Sequence, residues 1–570
     1  MSWDTRRIVD LLRGGLRLYY RRKYGTLARR VGRPSVGEDS RRGFIVIQID
    51  GLSYDHLRHA LQVGAMPYLH RLLLERRLNL YPWQCGLPST PPAVQAAIMF
   101  GSRYDIPGFR WYDKQNRLAI VAKRPDQMRL LQRRLRRDER GILTGGSSYV
   151  NLFDGDADLA LFTLSAFHPQ RFFESVRGMG LLLLFLLSPL RSLRVVGLTL
   201  WEYFRTLLWR LVAFFRPNVL RPYDMVSPLL AAAVNALFTE VQTFGVMLDI
   251  YRRVPAIYTN YNTYDEMAHL WGVTHPMALA ALRDIDRRIR QIDRMRRRYP
   301  VRPYDLFVLS DHGNTPSVPF SWLTRRSLGR FIAEQLGEQL SLDEVFDYPG
   351  YSMVKARYLL EEMKAVEERL PTGLRRVVQA LHRYVDRHIP PDREAETYDL
   401  EHREDVVVRV SGPLAHVYFN VAPRPLDLIE VALLYPHLVD RFLETEGIGL
   451  LAGRGRGQVI VLGWEGGTAV INDGRLEVEG VNPLAPYGDP AWVARELQRL
   501  FSFPHTGDLV IFGRMMENGR TVAFEEQVAT HGGIGGPQSE PFIAAPAGIG
   551  PISADGPEAL HRLFRERYNR

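Results

Sequence analysis

FIVIQIDG, residues 44–51, is a short apolar run rich in β-branched residues that ends in a carboxylate and a glycine. Hydrophobic at successive rather than alternate positions, it suits a strand buried on both faces, and strands of that kind belong to parallel sheets. It predicts a buried strand that delivers Asp50 to the carboxyl edge of a sheet. DLFVLSDHG, residues 305–313, repeats the design, with Leu306 to Leu309 as strand and Asp311 and His312 just past its end. PAIYTNYN, residues 255–262, reads as a third strand and leads into the helical pattern DEMAHLWG, residues 265–272. Strands alternating with amphipathic helices predict an α/β fold with a mostly parallel sheet flanked by helices, and ligands bind such sheets beyond the carboxyl ends of the strands.

The residues at those ends share one kind of chemistry. Asp265 and His269 stand four apart, so on a helix both project from one face. His531 lies in THGGIGGPQ, where glycines allow a close backbone approach. GLPSTPP, residues 86–92, offers Ser89 and Thr90 as hydroxyls at the apparent start of a helix, with Pro91 and Pro92 tolerated in its first turn. Singly, each signal is weak, because an acid and a histidine four apart form only a surface hydrogen bond in most proteins. Jointly, three carboxylates, three imidazoles and a hydroxyl fit two divalent cations with a phosphoryl group between them. Mixed Asp and His ligands suit zinc best, and manganese is also accommodated.

In these fragments the chain resembles the alkaline phosphatase superfamily, nearest its nucleotide pyrophosphatase/phosphodiesterase branch, over Phe44 to Met99, Ala256 to Asn314 and Phe524 to Pro546. The resemblance implies an alkaline-phosphatase-like core that hydrolyses phosphate esters through a phospho-enzyme. It also implies one metal on Asp50, the hydroxyl, Asp311 and His312, and a second on Asp265, His269 and His531. One departure matters. The family's loop reads Pro-Ser-x-Thr, whereas Pro88-Ser89-Thr90 is followed at once by two prolines, so Thr90 is the expected nucleophile and Ser89 the alternate. A sulfatase is excluded, because Cys85-Gly-Leu-Pro-Ser-Thr lacks the spacing and the arginine its modified nucleophile requires. A non-catalytic membrane-attached scaffold and a phosphotransferase acting on a lipid or glycan are the rival readings.

Of the net charge of +11, residues 1–42 hold +8, with twelve Lys/Arg against four Asp/Glu. The excess is therefore one basic, amphipathic arm suited to an anionic membrane surface, and no nucleic-acid-binding module is visible. Residues 43–177 read as the first part of the core with the nucleophile loop, and 178–220 as a hydrophobic helical insertion. Core resumes at 221–320, followed by a charged helical insertion at 321–404. Cap strands and a return to the core occupy 405–550, and a basic tail 551–570. The first insertion opens with thirteen uncharged residues, Gly178 to Leu190, too few to span a bilayer. Glu202, Arg205 and Arg210 then fall within one arc, while Trp201, Phe204, Leu208, Trp209 and Phe215 fill much of the remaining circumference. Residues 178–215 thus suggest a second contact with the membrane interface. His416 reads as structural. Arginines interrupt any secretory signal, and a lone cysteine, Cys85, suits a reducing compartment. The expected location is cytoplasmic, peripheral at the inner face of the membrane.

Overall fold

A computed structural model of the chain describes residues 41–137, 140–166, 189–214, 226–298, 302–336, 342–345, 405–552 and 555–568, with a few more between 375 and 384. The basic arm before residue 41, most of the uncharged run 178–190, Phe215, and most of the charged insertion 321–404 lie outside these residues.

The core is a seven-stranded sheet. In chain order its strands are β1 (Gly43–Ile49), β2 (Leu78–Pro82), β3 (Ser147–Tyr149), β4 (Leu159–Leu161), β5 (Ala256–Tyr261), β6 (Tyr304–Leu309) and β7 (Phe542–Pro546). They lie side by side in the order β2-β7-β6-β1-β5-β3-β4. β1 pairs in parallel with both β5 and β6, and only β7 runs against the rest. Every residue of β1, β5 and β6 is buried, because helices cover both faces. This is why the runs read as continuously apolar. The α/β sheet expected from the sequence is present, and its register sets Gln48 beside both Asn260 and Leu309. Asp50, Asn262 and Asp311 therefore emerge together at one sheet edge.

Five helices matter for function: α1 (Pro91–Phe100), α2 (Pro189–Phe214), α3 (Val226–Arg252), α4 (Thr263–Trp271) and α5 (Pro276–Arg298). A sixth, α6 (Pro557–Tyr568), occupies the stretch expected to be a basic surface tail. Its Leu560, Phe564 and Tyr568 recur every four residues and are buried, with Phe564 and Tyr568 against Phe44 of β1. The arginines between them masked that stripe in the sequence.

A second sheet of eight strands contains Val406–Ser411, Leu414–Phe419, Ile448–Gly455, Gln458–Gly463, Thr468–Asn472, Arg475–Glu479 and Leu509–Gly513. All of these pair antiparallel, and Leu342–Val345 adds an edge strand from within the stretch read as helical. A small three-stranded sheet joins the core to the glycine-rich loop, setting Thr315 opposite Thr530. His531 is thereby brought back beside Asn314.

Candidate metal centre

The chain turns sharply after β1. Gly51 has φ +72°, and a Cβ there would lie 2.2 Å from the Asp265 Oδ1. Only glycine lets the Asp50 strand end and helix α4 approach this closely. Beyond the turn, Asp50, Asp311 and His312 offer ligand atoms within 4.8 Å of one another, and Asp265, His312 and His531 form a second such group. His269 joins the second group through Asp265, whose Oδ2 lies 3.1 Å from its Nε2. All six residues read from the sequence as ligands are thus in one cluster, but His312 is common to both groups and His269 stands slightly outside them.

The imidazoles are held alike. Nδ1 of His269 hydrogen-bonds the Ala529 carbonyl at 2.7 Å, that of His312 the Gly313 carbonyl at 2.9 Å, and that of His531 the Ser89 carbonyl at 3.0 Å. Because a carbonyl only accepts, each Nδ1 donates its proton and each neutral ring keeps a lone pair on Nε2. Backbone-oriented imidazoles of this kind are how proteins present histidine to a metal. Nε2 of His312 lies 3.4 Å from Asp50 and 3.6 Å from Asp311, and that of His531 3.9 Å from Asp265.

The carboxylates are short of partners. Asp311 is fully buried and neither of its side-chain oxygens has a hydrogen-bond partner; the Asp50 Oδ1 and the His312 Nε2 are likewise buried and unpartnered. Burial and the charge of Asp50 push Asp311 up to about 8. Burial lowers His312, yet Asp311 and Asp50 outweigh it and raise the ring to about 10. His269 is likewise raised to about 9, its burial overcome by Asp265. For Asp265 the balance reverses: burial raises it, but His269 and the other imidazoles hold it well below the usual carboxylate range. His531 is pushed well below its ordinary value by burial and by His312. Acids and imidazoles here compete for protons that divalent cations would displace, so the donor set fits the metals its chemistry suggests.

Two amides supplement the acids, and the sequence reading did not single them out. Asn314 donates to the Asp265 Oδ1 at 2.7 Å and to the Gly51 carbonyl at 3.0 Å, and Asn260 donates to the Asp50 Oδ2 at 2.7 Å. Both stand in the quoted strand-end fragments, but only the register assigns an amide to a particular acid.

The two hydroxyls differ. Ser89 donates to the Gly533 carbonyl at 2.8 Å and accepts from the Gly532 amide at 3.0 Å, which fastens the nucleophile loop to the glycine-rich loop. Gly532 has φ +119°, and a Cβ there would meet the Ser411 carbonyl at 2.2 Å, so this fastening also requires glycine. Thr90 is the N-cap of α1, buried, with an Oγ1 that has no partner. A threonine in that position ordinarily caps an amide of the first turn. Pro91 and Pro92 have removed two of those donors. His416 bonds the Pro107 carbonyl at 2.9 Å and the Gly507 amide at 3.2 Å, in keeping with a structural role.

No protein-family model matches this chain, and no curated protein does. Among solved structures it is similar to phosphonoacetate hydrolase from Sinorhizobium meliloti 1021 in complex with phosphonoformate, at 14% identity and a TM-score of 0.42, over 92% of this chain and 96% of that one. It is also similar to murine ectonucleotide pyrophosphatase/phosphodiesterase 5, at 10% identity and a TM-score of 0.41, over 93% and 95%, and to its human counterpart at 9% identity. At TM-scores below 0.5 these likenesses have no weight for activity, which rests on the residues themselves.

Proposed function

We propose that this chain is a metal-dependent hydrolase of phosphate esters that works through a covalent intermediate on Thr90. The observation that carries the reading is Asp311, wholly buried with two unpartnered oxygens, grouped with Asp50 and with His312, whose Nε2 is likewise buried and unpartnered. A buried, unpartnered carboxyl pushed well above its ordinary range is costly without a cation. Asp50, Asp311 and His312 would hold one divalent ion, and Asp265, His531 and His269 another, with zinc the best match and manganese the next. When bound, such ions neutralise phosphoryl charge and favour the alkoxide of a nearby hydroxyl near neutral pH.

The chain's own residues supply the rest. Thr90 Oγ1 attacks phosphorus as the bond to the leaving oxygen breaks, giving a threonine phosphoester and an alcohol. Water then attacks phosphorus, its proton returns to Thr90, and phosphate or a phosphomonoester departs. The amino end of α1, where Thr90 sits, favours the anionic phosphoryl group. Ser89 is engaged in holding the loop, and Asn260 and Asn314 orient two of the acids.

The test is turnover of bis-p-nitrophenyl phosphate and of p-nitrophenyl phosphate with zinc, manganese or chelator, together with metal analysis of the purified protein. Expected is chelator-sensitive hydrolysis, with the preferred ester marking a diesterase or a monoesterase. Bound metal with no turnover of either ester would favour the scaffold reading, and transfer to added alcohols would favour a phosphotransferase.

A further inference from the structure

Helix α2 is packed inside out. Viewed down its axis at 100° per residue, one arc of about 140° holds Leu193, Val196, Leu200, Trp201, Phe204, Leu208 and Leu211, with no charged residue between them. These seven side chains are 47–68% exposed. The polar arc turns the other way: Arg194 pairs with Glu240 of α3, and Glu202 and Arg205 pair with each other and are largely buried. Trp209, expected on the apolar face, instead turns in edge-on against His275, 4.7 Å between ring centroids. A helix that folded to lie against water would show the reverse arrangement.

We propose that this outward face of α2 docks on an anionic membrane surface, lying in the interface rather than crossing it. Charge favours that occupant over a second copy of the chain. From residue 189 to 222 there are six arginines and one glutamate, a net +5, and residues 1–42 add +8. Two copies meeting through α2 would bring these basic segments together, whereas anionic lipid headgroups attract them. The uncharged run Gly178 to Leu190 leads directly into the helix, extending the apolar sequence available to the interface. The inward side of the helix also adjoins the element that carries part of the candidate site. His275, which Trp209 touches, stacks at 5.2 Å on Trp271, the last residue of α4, and α4 carries Asp265 and His269. One helix among the described residues, Pro228–Arg252, is long and apolar enough to cross a membrane, but it is 61% buried within the protein. This marks it as the support on which α2 rests.

The test is flotation of the full chain with vesicles of phosphatidylcholine alone and of equal parts phosphatidylcholine and phosphatidylglycerol. A variant carrying Trp201→Ser, Phe204→Ser and Leu208→Ser runs alongside, its fold checked by near-ultraviolet circular dichroism. Wild type is expected to float with the anionic vesicles, and the variant about tenfold less. Equal flotation of folded variant and wild type would overturn the proposal, as would equal binding to neutral vesicles. Wild type that stays in solution as a dimer, while the variant is monomeric, would also overturn it and assign the face to a contact between copies. Vesicle binding is read independently of turnover, so failure here leaves the hydrolase reading intact.

Discussion

The strand-end cluster and the outer face of α2 break the ordinary rule of burial in opposite senses. At the cluster, Asp311 has two side-chain oxygens and Asp50 one that are buried without a hydrogen-bond partner; on α2, Trp201, Phe204 and Leu208 are each more than 60% exposed. Neither arrangement minimises free energy for the polypeptide alone, since a buried unpaired charge and an exposed apolar stripe are both unfavourable. The two differ in what would relieve them. Point charges at fixed distances call for ions of matching geometry, whereas a broad apolar arc edged by arginines calls for an extended surface.

The sharpest way to break the comparison is at the nucleophile. Thr90→Ala should lower kcat at least about 10³-fold while thermal stability stays within about 1 kcal/mol, because Oγ1 bonds to nothing in the fold. Ser89→Ala should do the opposite, retaining measurable turnover while costing about 1–2 kcal/mol for the lost bonds to Gly532 and Gly533. If activity instead followed Ser89, the expected roles of the two hydroxyls would be exchanged.

A second test isolates the buried charge. Asp311→Asn should abolish tight metal binding by titration, yet in excess chelator it should melt higher than wild type, by about 1–3 kcal/mol of stability. An amide avoids the cost of burying a carboxyl that is pushed well above its ordinary range by burial and by Asp50, and it gives the Asp50 Oδ1 a donor. A lower melting temperature in chelator would mean that the carboxylate has partners in the metal-free protein, and the case for an incomplete site would fall.

What could be read in advance follows the same division. β1, β5 and β6 were legible because burial on both faces makes a parallel strand hydrophobic at every position, and an acid at the end of such a run announces itself. Asp265 with His269 and Asp311 with His312 were legible from spacing. The shared position of His312 was not, since it depends on how β1 and β6 align. Nor was the difference between Ser89 and Thr90, which is set by a loop some 440 residues later in the chain. On α2 the composition was plain but its orientation was not: periodicity divides a helix into two faces without saying which one meets the protein. Trp209, expected on the apolar face, falls between Glu202 and Arg205 at 100° per residue and so turns toward the protein with them.

His505 provides a reference, because its surroundings obey the rule that both regions break. Its Nδ1 is 2.6 Å from Asp105 and its Nε2 3.3 Å from Asp113, and Arg134 in turn holds Asp105 at 2.8 Å. Burial lowers His505, but the hydrogen bond and charge of Asp105, aided by Asp113, raise it above its ordinary value. A raised histidine contributes stability that is fully present below the unfolded value near 6.5 and is lost as pH rises through the folded one. His505→Gln should therefore cost about 1 kcal/mol near pH 6 and progressively less toward pH 9, by urea denaturation at each pH. A deficit that did not change with pH would assign His505 to packing alone.

The smallest expected effect bears most directly on α2. Large-to-small changes in a core cost about 2–5 kcal/mol per site, through lost burial and the cavity left behind. Trp201, Phe204 and Leu208 leave no cavity if they are truncated, because more than 60% of each is already in contact with solvent. The triple serine variant should thus unfold within about 0.5 kcal/mol of wild type in the absence of vesicles, with hydrolysis of a soluble ester unchanged. A loss of several kcal/mol would mean that another part of the folded chain covers these side chains in solution. The contrast between a charge lacking its ion and a face lacking its surface would then reduce to the first alone, and the vesicle experiment would have nothing left to detect.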